Sequence, residues 1–357
     1  MDDLLVVGGG PVGLATALYA ARSGLRVSVL ERREGSVDKA CGEGLMPGAL
    51  AALAELGVDP AGSPIEGITY VAGRRRVTAP FRRGPGRGVR RTVLHDALTD
   101  AVLAAGVPVR TGVAVTLDQD DEGVRVGLRD GGLAAARHVV GADGLQSFVR
   151  GAAGLEGAVV AKPARHGLRR HHGVAPWSPT VEVHWGRRAE AYVTPVAADT
   201  VGVAFLTRER LGYDELLADF PELRRRLDGA PPVTSVRGSG SLRRRSTARV
   251  NGRVLLVGDA SGYVDALTGE GIALGLRQAE RAVAAVAAGD PAAYERGWRS
   301  VSRRPDALTA GLALVTRARL GRGAIVPLAS AFPALFSLIV DEIASAATTS
   351  MPTETTS

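Results

Sequence analysis

The chain has 357 residues, 45% hydrophobic and 23% charged, enough for one large two-lobed soluble unit or two interleaved domains. Its net charge of +7 rests almost wholly on arginine, Lys39 and Lys162 being the only lysines among 44 basic residues. With 4% aromatics and no nucleic-acid motif, this reads as coding bias and solvated surface, and it argues against a nucleic-acid partner. The single cysteine, Cys41, excludes an intramolecular disulfide and a Cys-rich metal site; no metal is expected, and a reducing cytoplasm fits.

Two aspartates lead from Met1 into the apolar run Leu4 to Val7, with no basic region of the kind that opens a signal peptide. That run reads as a buried parallel strand. Pro11 to Ser23 then spaces Leu14, Ala17, Leu18 and Ala21 as a helix, and Val27 to Leu30 reads as the next strand, giving one right-handed βαβ unit. Between strand and helix, Gly8-Gly9-Gly10-Pro11-Val12-Gly13 carries glycine at the three positions of a dinucleotide loop. Gly8 permits the tight turn, Gly10 the approach of a pyrophosphate, and Gly13 close helix packing, while the helix start stabilises phosphate charge. Glu31, with Arg32 beside it, ends the second strand where a carboxylate can accept both ribose hydroxyls of an adenosine.

Further along, alternation returns in Gly67 to Val77, a helix is expected over Val93 to Ala105, and Val107 to Thr116, Gly123 to Arg129 and His138 to Gly141 read as strands. The section from Pro163 to Leu242 reads as a second lobe on a mostly antiparallel sheet. Its strands are Thr180 to Trp185, Ala189 to Val196 and Thr200 to Thr207, followed by a helix from Tyr213 to Leu227. His166, His171 and His172 fall in an Arg-rich stretch read as a solvated loop. Arg253 to Val257 returns to a buried strand, and Gly271 to Ala288 is a long Ala-rich helix. Helical pattern continues to about Ala346, with a disordered tail from 347 to 357. The apolar run Ala324 to Val340 is interrupted by Pro327 and Pro333, so packed terminal helices are expected rather than an integral membrane span.

Two later segments add cofactor chemistry. Val139 to Arg150 reads as a strand ending at an Asp143-Gly144 turn before a helix. Val254 to Gly262, followed by Leu267 to Ile272, reads as a strand leading into Asp259, whose carboxylate can accept a ribityl hydroxyl; Gly258, Gly269, Gly271 and Ile272 expose amides at helix starts. Together with the first loop, these segments resemble those of the p-hydroxybenzoate hydroxylase (group A flavoprotein monooxygenase) and geranylgeranyl reductase superfamily, over about residues 1 to 290. The resemblance implies a resident FAD and an α/β, Rossmann-like GR2-type FAD-binding fold, with an interleaved, mostly antiparallel substrate domain and C-terminal helices. The FAD-binding domain is then expected in three parts, 1–66, 91–162 and 250–290. Residues 67–90 and 163–249 would form the substrate domain, with helices over 291–346.

The resemblance also implies site residues. Arg91, leading the helix Arg91 to Leu98, would contact the flavin phosphate or ribityl arm, and Val115 would meet adenine through its backbone. Asp143 and Gly144 would serve flavin and nicotinamide. The loop Lys39-Ala40-Cys41-Gly42-Glu43-Gly44-Leu45 resembles a Cys-Gly-rich loop beside the isoalloxazine in the reductases, and Leu267 to Ile272 likewise looks like their segment. Against that branch, Tyr192-Val193-Thr194-Pro195 stands where prenyl reductases carry an aromatic run; Ala266 stands where reductases and hydroxylases alike often have proline. The implied activity is therefore first a monooxygenase that hydroxylates an apolar aromatic or polyketide-like small molecule through a flavin hydroperoxide, with NAD(P)H visiting as reductant. The alternative is an ene reductase acting on a polyene or prenyl-like substrate, and a third reading is a non-catalytic flavin-binding protein. His184 is the first candidate for a catalytic base, Cys41 lies beside the flavin or is a small buried hydrophobe, and Trp185, Tyr192 and Ala266 are candidate substrate walls. A monomer or homodimer is expected.

Overall fold

The computed structural model describes residues 1–158, 165–240, 244–263, 269–315 and 319–345. The expectations on Ala266, Leu267, Thr268 and the tail from 347 lie outside these residues.

Strand Asp2–Val7 runs parallel between Val27–Glu31 and Leu133–Gly141. Val254–Leu256 and Val109–Thr111 extend the parallel order on the two sides, within an eight-stranded sheet. Leu4 to Val7 are all buried because both faces of the sheet are covered, so the run is continuous rather than alternating. Helices Pro11–Arg22, Arg91–Ala104 and Gly271–Ala287 share a core on one face. The antiparallel strands Ala114–Gln119 and Val124–Leu128 and the short helix Phe148–Ala152 lie on the other. The strand expected over Val107 to Thr116 breaks at Gly112, where a Cβ would stand 2.9 Å from the Leu30 side chain.

The second sheet has seven strands, in the order Arg237–Ser239, His166–Gly173, Thr200–Thr207, Ala189–Ala197, Val181–Trp185, Gly67–Ala72, Arg75–Pro80. All its pairs are antiparallel except Val181–Trp185 with Gly67–Ala72. The hairpin 67–80, although early in the chain, thus belongs to the later lobe's sheet. The helix expected over Tyr213 to Leu227 is two short ones, Tyr213–Leu217 and Pro221–Arg226. Pro221 lacks an N–H and biases the residue before it away from helix, and Phe220 sits at φ −121°, ψ 72°.

One reading is corrected outright. His166, His171 and His172 are in strand His166–Gly173, and His171 and His172 are buried at 1% and 4% exposure. The arginines that made the stretch look solvated are paired: Arg169, also buried, reaches Asp38 and Glu43.

Helix Tyr294–Val315 is stapled to the first sheet by the Tyr294 hydroxyl, which donates to the Leu256 carbonyl at 2.8 Å. Helices Arg319–Ala331 and Pro333–Ser345 pack on strand Arg75–Pro80. Among the described residues no single helix is long and apolar enough to cross a membrane.

Candidate flavin site

A cavity of about 1010 Å³ lies between the two sheets. At one end is the first loop, whose three glycines have different reasons to be there. Gly8 sits at φ +110°, with a Cβ position 2.5 Å from the Ala142 carbonyl oxygen, and a Cβ at Gly13 would stand 1.8 Å from the Gly8 oxygen. Those two are demanded by the protein's own backbone. Gly10 has open space, with Arg91 Nη2 3.8 Å from its Cβ position, so it is the position where a Cβ would fill the cradle rather than clash with it. Glu31 is pinned at the strand end, accepting from Gly9 N at 2.6 Å and Arg33 N at 3.1 Å. His95, which sequence reasoning did not single out, is buried and bonds the Gly9 carbonyl at 2.9 Å. Its position on the inner face of helix Arg91–Ala104 was the available signal.

Charged groups converge on this end. Arg91 lines the cavity, and its buried Nε has no partner among the described residues. A guanidinium held beside an open glycine cradle at a helix N-terminus fits an anionic pyrophosphate. Lys39 Nζ stands 3.0 Å from the Cβ position of Gly144, which has φ +82°. Burial lowers the Lys39 pKa, with the Asp259 charge opposing. Burial raises that of Asp259 against the attraction of Lys39, Arg91 and Arg150. Asp143, also raised by burial, accepts from Val149 N at 3.1 Å and so orders the turn after its strand. Pro11, Val12, Arg32, Gly42, Gly144, Gly258, Gly269, Gly271 and Ile272 all line the cavity.

The other end is apolar, built from Met46, Ile68, Val181, Val183 and Val340, with Tyr70 and Tyr192. Trp185 packs edge-on to Tyr70 at 5.3 Å between centroids, behind this wall. His184 is not part of it. Strand alternation sends Val181 and Val183 toward the cavity and Glu182 and His184 to the opposite face. There His184 Nε2 lies 2.9 Å from Glu182 Oε2, which also accepts from Trp177 Nε1 at 3.1 Å. Burial alone would raise the Glu182 pKa, but the hydrogen bonds from His184 and Trp177 outweigh it and hold the carboxyl at about 2. The catalytic role expected of His184 is therefore corrected: it completes a closed polar cluster. Val115 lies on strand Ala114–Gln119 with its side chain exposed, outside this cavity's lining. Cys41 does line the cavity; burial pushes its thiol pKa up, so it stays a neutral thiol at physiological pH.

Residues 2–290 match the family described as FAD binding domain. The chain belongs to that FAD-binding family. It is an FAD-dependent oxidoreductase of the p-hydroxybenzoate hydroxylase and geranylgeranyl reductase superfamily. This flavoprotein is 29% identical to the dialkyldecalin synthase of Streptomyces rugosporus over 299 residues, 78% of this chain and 63% of that protein. It is also 29% identical to the menaquinone reductase of Mycolicibacterium smegmatis over 331 residues, 83% of this chain and 79% of that protein. Its fold superposes on the structure of the flavin-dependent brominase Bmp2 with a TM-score of 0.82 at 17% identity, over 96% of this chain and 93% of the other.

The flavoprotein also contains a buried network that the sequence did not reveal. Glu43 is the one non-glycine with positive φ (59°) among the described residues. Its carboxylate accepts from Arg91 N at 3.0 Å and lies 2.6 Å from His171 Nε2. Gly202 makes room for it, since a Cβ there would stand 2.9 Å from Glu43 Oε2. The Cys41 loop is thereby tied to the second sheet and to the start of the Arg91 helix. The only trace in the sequence is an acid between two glycines beside Cys41.

Proposed function

We propose that this oxidoreductase reduces a carbon–carbon double bond of an apolar, polyene- or prenyl-like small molecule, with NAD(P)H as transient reductant. The apolar wall of Met46, Ile68, Val181, Val183 and Val340 carries this reading. An extended hydrocarbon would be desolvated along it at about 25 cal/mol per Å², whereas a small phenol would leave much of it uncovered. Two observations support it further. The base expected for hydroxylation, His184, faces away from the cavity, and the likeness to the menaquinone reductase runs over 83% of the chain.

FAD, when bound, supplies the two-electron transfer. Gly10, Arg91 and Lys39 would hold its pyrophosphate, Glu31 the adenosine ribose, Asp259 the ribityl chain, and the amides at Gly271 and Ile272 the pyrimidine edge. The chain's own wall orients the substrate and excludes water. Tyr70, whose pKa burial pushes up to about 12, contributes a hydroxyl that stays neutral.

Hydroxylation of an aromatic or polyketide-like substrate is the second reading. It is favoured by the Glu43 and His171 pair, at 2.6 Å, because Glu43 lines the cavity and such a pair could take up a phenolic proton. The test is turnover of holoprotein with NADH or NADPH, with and without oxygen, on polyene lipids and phenols. A product heavier by two hydrogens, formed without oxygen, supports reduction. A product heavier by one oxygen, formed only in air, assigns hydroxylation, and NAD(P)H oxidation no faster than with free flavin leaves a non-catalytic flavoprotein.

A further inference from the structure

We propose that the corner between the last two helices docks on the surface of an anionic lipid bilayer, from which an apolar substrate reaches the cavity. The delivery step rests on the function proposed above; the docking itself does not. Segments Gly323–Ala331 and Pro333–Glu342 meet at a bend of 108°. Around that bend Leu328, Phe332, Leu335, Leu338 and Ile339 are 55%, 58%, 56%, 54% and 41% exposed. Scattered exposed apolar residues are ordinary, but five within twelve positions at one corner form a patch of the kind that marks an interface.

The helix Pro333–Ser345 is firmly seated by its other face. Phe336, Val340 and Ala344, at helical spacing, are buried, while Leu335, Leu338 and Ile339 share the outward face. Glu342 is the exposed acid at the far end of that helix.

The charge beside the patch selects the partner. Strand Arg75–Pro80 lies under these helices, and alternation puts exposed Arg75 on the face of Val77 and Ala79, which pack into the same core. Arg74 and Arg83 are also exposed, and Arg82 is clamped to Asp341 at 3.0 Å. Apolar-faced helices packed on a strand that carries exposed arginines at its start and on the turns that flank it fit the interface of an anionic bilayer. A second copy would bring the same arginines into one interface. No single described helix is long and apolar enough to cross a membrane, and the pair that could by length and composition is bent by 108° at this corner and keeps Phe336, Val340 and Ala344 buried against the protein, so the proposed contact is with the surface.

The patch is also close to the cavity. Val340 lines it, and the Phe336 ring is 4.6 Å from that of Tyr70, which lines it too. Bilayer and cavity would thus be separated by roughly one helix diameter.

The experiment is co-sedimentation of the FAD-loaded protein with vesicles of phosphatidylglycerol and phosphatidylcholine, or of phosphatidylcholine alone. We expect binding to the anionic vesicles, weakened at least about tenfold by Leu335→Glu with Leu338→Glu, and similarly by Arg74→Glu with Arg75→Glu. Retained flavin absorbance and Tm certify that the variants fold. Absence of vesicle binding, or binding that the leucine variant leaves unchanged, overturns the proposal. So does a dimer that the leucine variant dissociates in a protein that ignores vesicles. Vesicle binding is read without turnover, so its failure leaves anaerobic reduction of a detergent-dispersed substrate intact, and failure of that reaction leaves the docking intact.

Discussion

At the residue scale, the glycine loop separates what the backbone requires from what the ligand requires. Gly8→Ala must put a Cβ 2.5 Å from a carbonyl oxygen at a left-handed φ. The expected outcome is colourless or insoluble protein, checked by flavin absorbance after purification. Arg91→Gln should keep the fold but remove the charged partner proposed for the pyrophosphate. FAD affinity should fall about 10- to 100-fold, the worth of a charge-assisted hydrogen bond, as read by flavin fluorescence titration. Two carboxyls give opposite pH signatures. Glu182, held at about 2, contributes stability that is present above its unfolded value of about 4.3 and lost as pH falls toward 2. Glu182→Gln should flatten the acid side of a Tm profile. Burial raises Asp306 to about 6, so its contribution is present below about 3.9 and lost as pH rises through 6. Asp306→Asn should raise Tm at pH 8 by about 1–2 °C and leave it unchanged at pH 4.

At the element scale, the first helix and the long helix Gly271–Ala287 approach at Gly275, where a Cβ would stand 2.4 Å from Val12 Cγ2. Gly275→Ala should cost about 1–3 kcal/mol through overpacking, measured by urea unfolding. It should also loosen FAD, because both helix starts frame the cavity. The parallel strands and this helix pair were legible beforehand, since a continuous apolar run and a 3.6-residue period each report burial directly. The helix read over Tyr213 to Leu227 was not, because its apolar period continues across Pro221 while its backbone does not. Strand His166–Gly173 was illegible for another reason: its Arg169 finds acids, Asp38 and Glu43, from more than a hundred residues earlier.

At the scale of the whole molecule, the FAD-binding match ends at residue 290, but the structure does not. Tyr294 bonds the Leu256 carbonyl and Trp298 Nε1 donates to Ser261 Oγ at 3.1 Å, both within the cofactor lobe. Removing residues 291–357 should therefore yield insoluble protein or one that unfolds at least about 10 °C lower and loses its flavin, although every glycine of the cofactor loops remains. Thermal unfolding followed by flavin release checks this. The C-terminal helices also close the apolar end through Val340, so the apolar wall is assembled from the second sheet, Met46 and the last helix.

The sequence by itself determined the cofactor lobe. Glycine placement, Glu31 and the aspartates at strand ends are local consequences of backbone geometry and phosphate chemistry, and local rules can be read in one dimension. Only the tertiary structure decided which side chains face the cavity. A strand shows its two faces alternately, and nothing in Glu182-His184 said which face would meet the cavity. Nor could the sequence join Glu43, His171 and Arg169, or set an apolar helix face outward beside arginines, because those pairings exist only where distant segments meet.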